Sequence, residues 1–342
     1  MRIIGGIYGG RKLKEFEKIG VRPTSDMLRE SLFNIIGEKI DGAVFLDLFG
    51  GTGAVGIEAL SRGAKRVVFN DSSKNSLKLI EENLKQLGAR EDYKIIGADY
   101  QSLIENTSEK FDYIFIDPPY KSNLGESAVS LCEKILNTNG TIILEDERDE
   151  NFNFSELALI DKRRYGRAFL YFFKRKRSAC VFAGTFDPIT CGHEEIISKC
   201  LNLYKKVIIV IGENDAKTPY FTLKERKMLV ETMYKDNPNI EIIVYSEHKD
   251  KYYELLKERK AFFYVRGIRD SVDEAYEKSS AEKNALIYPE ITTEFIKADK
   301  KFKKVSSSFI RQRIFDGQDV SLYVPEKIKL VIKELIANKK QA

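Results

Sequence analysis

The chain has 342 residues, of which 43% are hydrophobic and 32% are charged, and its formal net charge is +5. This length and composition predict two globular domains, each with its own core. The sequence has no run of about 20 apolar residues, so we expect no membrane span. The N-terminus also lacks the apolar core of a signal peptide, so we expect a cytoplasmic protein. The spacing of the four cysteines and two histidines predicts neither a metal site nor a disulfide framework.

A basic run over residues 174–177 lies between two apolar segments near the middle of the chain. A charged run in such a position is typical of a solvated linker between domains. We therefore predict one domain over residues 1–176 and a second over residues 178–342.

Both halves alternate short apolar runs with amphipathic, helix-like segments. In the first half the apolar runs are 44–48, 67–69, 93–96, 113–116, 141–144 and 169–173, and a helical pattern covers 76–87. In the second half the apolar runs are 180–182, 207–211, 240–244, 262–265 and 293–296. Continuous apolar strands between amphipathic helices predict parallel sheets that are covered on both faces. We therefore predict an α/β fold with two tandem domains.

A glycine-rich turn follows the first predicted strand. Gly51, Gly53 and Gly56 fit the pattern GxGxxG, in which glycine permits positive φ and lets the backbone approach a ligand. Alone, this pattern is equally typical of a dinucleotide-binding domain. Asp47, just before the turn, can receive a cationic amino-acid group. Asp71, at the end of the next strand, can hold both hydroxyls of a ribose.

Asp117, Pro118, Pro119 and Tyr120 follow the fourth predicted strand. In isolation such a turn indicates only a rigid backbone, because proline fixes φ. The Asp117 carboxylate and the Pro118 carbonyl can also accept both N–H bonds of an exocyclic base amine, which directs its lone pair toward a methyl donor. Tyr120 can stack on a base that has left its helix. Together with the glycine turn and Asp71, this arrangement indicates a nucleic-acid methyltransferase.

Residues 1–176 resemble the bacterial 16S rRNA guanine-N2 methyltransferases. The motifs that carry the resemblance lie at residues 2–6, 10–13, 22–34, 46–56, 58–63 and 117–120. The resemblance implies a class I Rossmann-like domain, S-adenosyl-L-methionine (AdoMet) as methyl donor, and 16S rRNA in the small ribosomal subunit or its assembly intermediate as partner. It implies catalytic roles for Asp117, Pro118 and Tyr120. It implies cofactor contacts by Asp47, Phe49, Gly51, Gly53, Asp71 and Asp99.

Cations cluster in the N-terminal arm at Arg2, Arg11, Lys12, Lys14 and Arg22. Such cations can position RNA through its phosphates. They fit a solvated basic arm equally well, and their spacing does not decide between the two interpretations.

The second half carries two signals for phosphate binding. Thr185 follows its first predicted strand, and a TxGH sequence that ends at His193 opens a helix. Amides at a helix start attract phosphate, and a histidine there can donate to a phosphate oxygen as negative charge grows. The serines at 306–308, followed by Arg311, can form a second anion-binding segment, although in isolation they indicate an ordinary N-cap. With TxGH they indicate nucleotidyl transfer, in which the protein positions phosphates, usually with magnesium.

Residues 179–334 resemble the phosphopantetheine adenylyltransferases, which transfer adenylyl from ATP to 4'-phosphopantetheine and give dephospho-CoA and pyrophosphate. The motifs lie at residues 183–193, 217–226, 265–269, 273–277 and 306–308. The resemblance implies a parallel-sheet nucleotidyltransferase that uses ATP with Mg²⁺ and assembles as a homo-oligomer, a hexamer, through this domain. It implies acceptor contacts by Thr185, Lys217, Tyr252 and Arg266. It implies catalysis by His193, and nucleotide contacts by Thr185, Phe186, His193, Gly267, Arg269, Glu277, Phe302, Ser306, Ser307 and Ser308.

Other functions remain open for each half. The first fold also suits DNA adenine-N6 methyltransferases, and the second suits other nucleotidyl transfers. Residues 246–258 and 278–284 depart from the family pattern, which is also consistent with a degenerate module for oligomerisation. In every case we expect a flexible link and independent sites.

Overall fold

The structure of the protein is a computed structural model that describes residues 1–16, 26–119, 123–213, 218–268 and 289–341. The chain divides into two compact units, residues 1–175 and 176–342. Within the described ranges, every helix is too short or too polar to span a membrane.

The first unit is built around one seven-stranded sheet. Its strands are β1 (Val44–Asp47), β2 (Arg66–Asn70), β3 (Asp92–Ile96), β4 (Phe111–Ile116), β5 (Leu136–Asp146), β6 (Leu157–Tyr165) and β7 (Ala168–Arg175). Its helices are α1 (Asp26–Ile36), α2 (Ala54–Ser61), α3 (Lys74–Leu87), α4 (Tyr100–Asn106) and α5 (Leu124–Cys132), with 3-10 turns at Gly37–Ile40 and Glu133–Ile135.

The strand order in this sheet is β3-β2-β1-β4-β5-β7-β6. Strands β1 to β5 run parallel, whereas β7 is antiparallel to both β5 and β6. The prediction of a parallel sheet is therefore confirmed for the first five strands and wrong for β7, and β6 was not among the predicted strands. Only Gly166 and Arg167 separate β6 from β7. Such a short connection can join antiparallel strands but cannot make a parallel crossover.

The apolar runs in these strands reflect burial on both faces of the sheet. Phe45 of β1 and Phe69 of β2 belong to one hydrophobic core, which includes residues of α1, α2 and α3. The adjacent residues Leu46 and Val68 belong to the core on the other face of the sheet, with residues of α4 and α5. Side chains alternate between the two faces of a strand, so a strand that is covered on both faces is apolar at successive positions of its sequence.

The second unit contains a five-stranded sheet in which all paired strands are parallel, in the order β10-β9-β8-β11-β12. Its strands are β8 (Arg177–Gly184), β9 (Tyr204–Ile211), β10 (Ile240–Val244), β11 (Phe263–Ile268) and β12 (Thr292–Lys297). The helices are α6 (Cys191–Leu203), α7 (Leu223–Tyr234), α8 (Tyr245–His248), α9 (Tyr252–Glu258), α10 (Ser307–Phe315) and α11 (Lys329–Gln341), with 3-10 turns at Lys249–Lys251, Lys300–Phe302 and Glu326–Ile328. The parallel-sheet prediction is confirmed for this unit.

The basic run at 174–177 does not form the separate linker that its charge suggested. Arg175 is the last residue of β7 and Arg177 is the first residue of β8. The Arg177 guanidinium lies 4.7 Å from the centroid of the Phe263 ring, and Arg175 Nη2 donates to the Leu136 carbonyl at 3.2 Å. Long cationic side chains can lay their stems on apolar surface and keep their charge at its rim, so a basic run is compatible with strand ends.

We expect Gly56→Ala to destabilise the first unit. A Cβ at this position of α2 would lie 2.2 Å from Cε1 of the Phe69 ring, which is itself fully buried. Such overpacking typically costs roughly 1–3 kcal/mol. Differential scanning calorimetry of the full chain should show a lower transition temperature for this variant.

Gly125→Ala in α5 is the matched control. A Cβ there would lie 3.0 Å from Leu144 Cδ1, the flexible end of a side chain, so we expect little change. Equal transition temperatures for the two variants would contradict the packing account of Gly56.

Candidate functional sites

The first site lies at the edge of the seven-stranded sheet where the parallel strands end. Asp47 is the last residue of β1, Asp71 follows β2, and Asp117 follows β4. Asp71 and Asp117 lie close enough to contribute to a raised pKa of Asp47. The structure therefore brings together three carboxylates that are far apart in the sequence.

The glycine turn lies next to these acids. Gly51 and Gly53 have φ values of 53° and 78°, in the left-handed region that favours glycine. The amide of Gly51 donates to Asp71 Oδ2 at 2.9 Å. At its glycines the turn therefore exposes backbone beside Asp71, the carboxylate that was predicted to bind the ribose hydroxyls.

Asp47 forms a buried acidic group beneath the turn. It is 2% exposed, and its Oδ2 accepts a hydrogen bond from the Gly56 amide at 3.0 Å. The pKa of Asp47 is raised to about 8, mainly by burial and also by the nearby carboxylates of Asp117 and Asp71, against the lowering effect of the Gly56 amide. A cation placed against this carboxylate would favour its charged form.

The other described residues that were predicted for this site differ in their burial. Pro118 is buried and Asp117 is half-buried. Asp99 is exposed and caps α4, where bonds from the Ser102 hydroxyl and amide lower its pKa. Phe49 packs against a tyrosine of α4, with ring centroids 5.6 Å apart. Tyr120 lies outside the described residues.

Two asparagines that hold the glycine turn were missed in the sequence. The Gly50 amide donates to the Asn70 carbonyl at 2.7 Å, and Asn70 Nδ2 donates to the Leu48 carbonyl at 3.0 Å. Asn83 Nδ2 donates to the Thr52 carbonyl at 3.1 Å. An asparagine inside a strand or a helix carries no local signal of such a contact, so only the folded arrangement shows it.

Part of the cationic N-terminal arm is used within the protein. Arg11 donates to two carbonyls at the C-terminal end of α3, at 2.8 and 2.9 Å. Lys14 forms an ion pair with a glutamate of α3 at 2.8 Å. These contacts attach the arm to α3, while Arg2 and Lys12 are exposed. Arg22 lies outside the described residues.

The second site is a cavity of about 730 Å³ in the second unit. The predicted residues that line it are Thr185, His193, Arg266, Gly267, Phe302, Ser306, Ser307 and Ser308. Lys217, Arg269 and Glu277, which the sequence also assigned to this site, lie outside the described residues.

His193 is held in one orientation at the start of α6. Thr190 is the N-cap of the helix, and its side-chain oxygen accepts from the His193 amide at 3.2 Å. In return, the Thr190 amide donates to Nδ1 of His193 at 3.1 Å. Because Nδ1 accepts this bond, the neutral imidazole carries its proton on Nε2. His193 therefore offers a donor at the helix N-terminus, where phosphate is favoured.

Two predicted contacts are not brought to the cavity wall. Phe186 is 1% exposed, and its ring packs edge-on against His193 with centroids 5.1 Å apart, so it supports the histidine. Tyr252 is 5% exposed and belongs to the core cluster that includes Val181 and Ile208. The family resemblance implied that Tyr252 contacts the acceptor, whereas the structure buries its ring in the core as part of α9.

A buried aspartate joins three motifs around the cavity. The Asp187 carboxylate accepts from the amides of Tyr220 and Phe221 at 3.0 and 2.8 Å. Its backbone carbonyl accepts from Arg311 Nη1, in α10, at 2.9 Å. Asp187 stands inside the motif at 183–193 but was given no role from the sequence; Arg311 was expected to bind an anion together with the serines at 306–308.

The three serines before and within α10 have different partners. Ser306 is the N-cap and accepts from the Phe309 amide at 3.1 Å. Ser307 donates to the Pro188 carbonyl at 2.9 Å. Ser308 accepts from Arg311 at 3.1 Å and is exposed. Ser306 is therefore an ordinary N-cap, and all three serines also line the cavity.

Comparison with known proteins gives a separate match for each half. The family model described as Conserved hypothetical protein 95 matches residues 1–174, and the model described as Cytidylyltransferase-like matches residues 181–313. The Ribosomal RNA small subunit methyltransferase D of Haemophilus influenzae is 38% identical over 155 residues, which cover 44% of this chain and 80% of that protein.

The second half matches proteins named phosphopantetheine adenylyltransferase. The protein of Flavobacterium johnsoniae is 35% identical over 150 residues, which cover 44% of this chain and 96% of that protein. The protein of Thermotoga neapolitana is 34% identical over 161 residues, covering 47% of this chain and 98% of its own length. The chain is thus a fusion that belongs to the Conserved hypothetical protein 95 family through its first half and to the phosphopantetheine adenylyltransferases through its second.

Proposed function

We propose that the first unit transfers a methyl group from AdoMet to the exocyclic N2 amine of a guanine in 16S rRNA. The observation that carries this proposal is the meeting of Asp47, Asp71 and Asp117 around the glycine turn. The name of the Haemophilus influenzae relative supports rRNA as the substrate. We propose the small ribosomal subunit, or its assembly intermediate in the cytoplasm, as the partner.

The residues present fit AdoMet. A Cβ at Gly50 would lie 2.9 Å from Ile80 Cδ1 and 3.3 Å from the Asn70 carbonyl oxygen, so the turn is packed tightly behind its ligand-facing backbone. Asp47 supplies a buried acid for the cationic amine, and Asp71 keeps lone pairs for the ribose hydroxyls. When bound, AdoMet supplies an electrophilic methyl group.

The chain's own residues would orient the acceptor amine. The Asp117 carboxylate and the Pro118 carbonyl accept its two N–H bonds, which leaves the nitrogen lone pair directed away from both acceptors. Burial of Pro118 holds its carbonyl in place during this step. We propose that the exposed Asp99, which caps α4, contacts the adenine, and Phe49 packs against the same helix.

Binding of AdoMet to the intact protein at pH 7 should release roughly one proton per ligand. The reason is that the raised pKa of Asp47, about 8, keeps this carboxyl protonated in the free protein, whereas a cationic amine favours its ionised form. Isothermal titration calorimetry in buffers of different ionisation enthalpy measures the number of protons.

Asp47→Asn is the comparison, because its amide cannot release a proton. If the natural protein binds AdoMet tightly at pH 7 without releasing a proton, the proposed contact between Asp47 and the cationic amine is contradicted.

Asp117→Ala should lower the methylation rate on the order of a hundredfold to a thousandfold, because a preorganised acceptor is lost. AdoMet binding should change little. The assay follows labelled methyl into 16S rRNA and identifies the modified nucleoside after digestion.

The matched control is Asp112→Ala, near the other end of β4, where Asp112 accepts from the Val44 amide at 2.9 Å. Methyl found at adenine N6 in DNA, and none at guanine N2 in rRNA, would replace the proposed substrate with the DNA alternative.

We further propose that the second unit transfers the adenylyl group of ATP to 4'-phosphopantetheine. A phosphate oxygen of the acceptor forms a bond to the α-phosphorus while the bond from that phosphorus to the bridging oxygen breaks. Pyrophosphate leaves, and the other product is dephospho-CoA. The observation that carries the proposal is the fixed His193 at the cavity wall, with its proton on Nε2.

The described residues would divide the phosphates between two groups. Thr185 and Arg266 hold the acceptor phosphate, while His193 and the start of α6 neutralise charge on the nucleotide phosphates. Ser308 and Phe302 border the nucleotide, and Gly267 lets it approach β11. The roles of Lys217, Arg269 and Glu277 follow from the family resemblance alone.

Mg²⁺ would enter with the ATP phosphates as part of the substrate. Among the residues that the structure describes, no group of three or more histidine, cysteine, aspartate or glutamate side chains is arranged to hold a metal ion. Every step above is assigned to side chains and backbone of the described residues.

We propose that residues 1–176 and 178–342 act as separate domains with independent sites. We also propose that the second domain forms a homo-oligomer, a hexamer by family resemblance. Its exposed apolar residues Phe315, Leu322 and Leu330, which are 70%, 81% and 75% exposed, support an interface on this domain.

His193→Asn should lower pantetheine-dependent pyrophosphate release on the order of a hundredfold to a thousandfold. The Asn oxygen can replace Nδ1 as acceptor for the Thr190 amide, so the helix cap survives while the Nε2 donor is lost. Circular dichroism checks that the fold is retained.

His193→Gln provides the complementary variant, because its amide nitrogen can replace Nε2 but its cap bond is lost. We expect this variant to be more active than His193→Asn. A natural protein that binds ATP but releases no pyrophosphate with 4'-phosphopantetheine would favour the degenerate module or another acceptor.

A further inference from the structure

Arg226 is a buried cation at the wall of the second cavity. It is the fourth residue of α7, is 3% exposed, and lines the cavity. Its Nη1 donates to two carbonyl oxygens, that of Thr185 at 2.7 Å and that of Gly212 at 2.8 Å. Thr185 lies just after β8 and Gly212 just after β9. One guanidinium therefore joins the carboxyl ends of two neighbouring parallel strands.

Packing alone does not account for a charge at this position. Removing a cation from water is costly unless a close anion offsets it. Within the described ranges Arg226 forms no ion pair, and its buried Nε has no hydrogen-bond acceptor. Burial lowers its pKa, and the more distant Asp187 and Glu213 only partly oppose that effect. A neutral side chain of similar volume would stabilise the fold at less cost.

The two bonds have a clear consequence for a cavity that binds phosphates. Carbonyl oxygens carry partial negative charge, and the guanidinium neutralises the two oxygens to which it donates. Arg226 also helps to fix the turn after β8, because it donates to the Thr185 carbonyl. A separate backbone bond, from the Gly212 amide to the Gly184 carbonyl at 2.9 Å, joins the same two strand ends. The ends of β8 and β9 are thus tied together twice, once by backbone and once by Arg226. A misplacement of about 1 Å in such a site can cost about a hundredfold in rate.

We propose that Arg226 is a positioning residue for adenylyl transfer, which holds the Gly184–Thr185 turn in place against the acceptor phosphate and neutralises its carbonyl. This inference rests on the proposed function of the second unit. Arg226 acts through Thr185 and touches no reacting atom. Its removal should therefore reduce the rate of the reaction more than the affinity for ATP.

The test compares Arg226→Met, Arg226→Lys and Arg226→Ala in the full chain. We expect Arg226→Met to lower kcat for pyrophosphate release on the order of a hundredfold, with the Kd for ATP changed only a few-fold. Arg226→Lys should recover part of kcat, because it restores a cationic donor. Millimolar guanidinium should partly restore Arg226→Ala, whereas urea at the same concentration should not.

Arg259→Met is the matched control. Arg259 lies after α9 and pairs with Glu241 at 2.6 Å, and it is absent from the described cavity wall. This variant should keep the kcat of the natural protein.

The outcomes separate the inference from the function on which it rests. If the natural protein releases no pyrophosphate, the proposed function fails. If the natural protein is active and Arg226→Met keeps its kcat, the positioning role is overturned. The role is also overturned if activity falls only in proportion to the folded fraction, measured by circular dichroism, and guanidinium restores none of it.

Discussion

Hydrogen bonding between parallel strands sets the end of each strand beside the ends of its neighbours, and both sites depend on this arrangement. In the first sheet the register pairs Asp47 of β1 with Phe69 of β2, which leaves Asp71 two residues farther on, next to the glycine turn. In the second sheet Gly184 pairs with Ile211, so the turns that follow β8 and β9 leave the sheet side by side. Residues far apart in sequence meet because the strands that carry them end together.

The two sites bury ionisable side chains of opposite charge. The first unit buries the acid Asp47, which prepares the site for a cation. The second buries the cation Arg226, and its buried Asp187 accepts from backbone amides and pairs with Arg311. Burial moves the pKa of Asp47 up and the pKa of Arg226 down, in each case toward the neutral form. A cationic ligand at the first site would reverse that effect for Asp47, which couples binding there to the charge state of this carboxyl.

The sequence predicted the parts of each site that depend on local chain geometry. The glycines with positive φ, the strand-end acids and the TxGH helix start are encoded within a few residues, so their positions follow from pattern alone. Asn70, Asp187 and Arg226 were missed because their partners come from other elements of the fold. Tyr252 was assigned to the cavity for the converse reason, since a motif does not show which side of a helix meets the core. The antiparallel β7 was not distinguished from a parallel strand, because both kinds appear as apolar runs, and β6 was not predicted because its second half is polar.

Hydrogen–deuterium exchange with mass spectrometry on the full chain tests most directly whether each ligand binds at the carboxyl ends of the strands of one sheet. AdoMet alone should slow exchange in the segments around Asp47 to Gly56 and Asp71. ATP alone should slow exchange in the segments around Gly184 to His193 and Ser306 to Arg311, and each ligand should leave the other unit unchanged. Protection by either ligand that is confined to the opposite ends of the strands, or that falls in the other unit, would contradict the account.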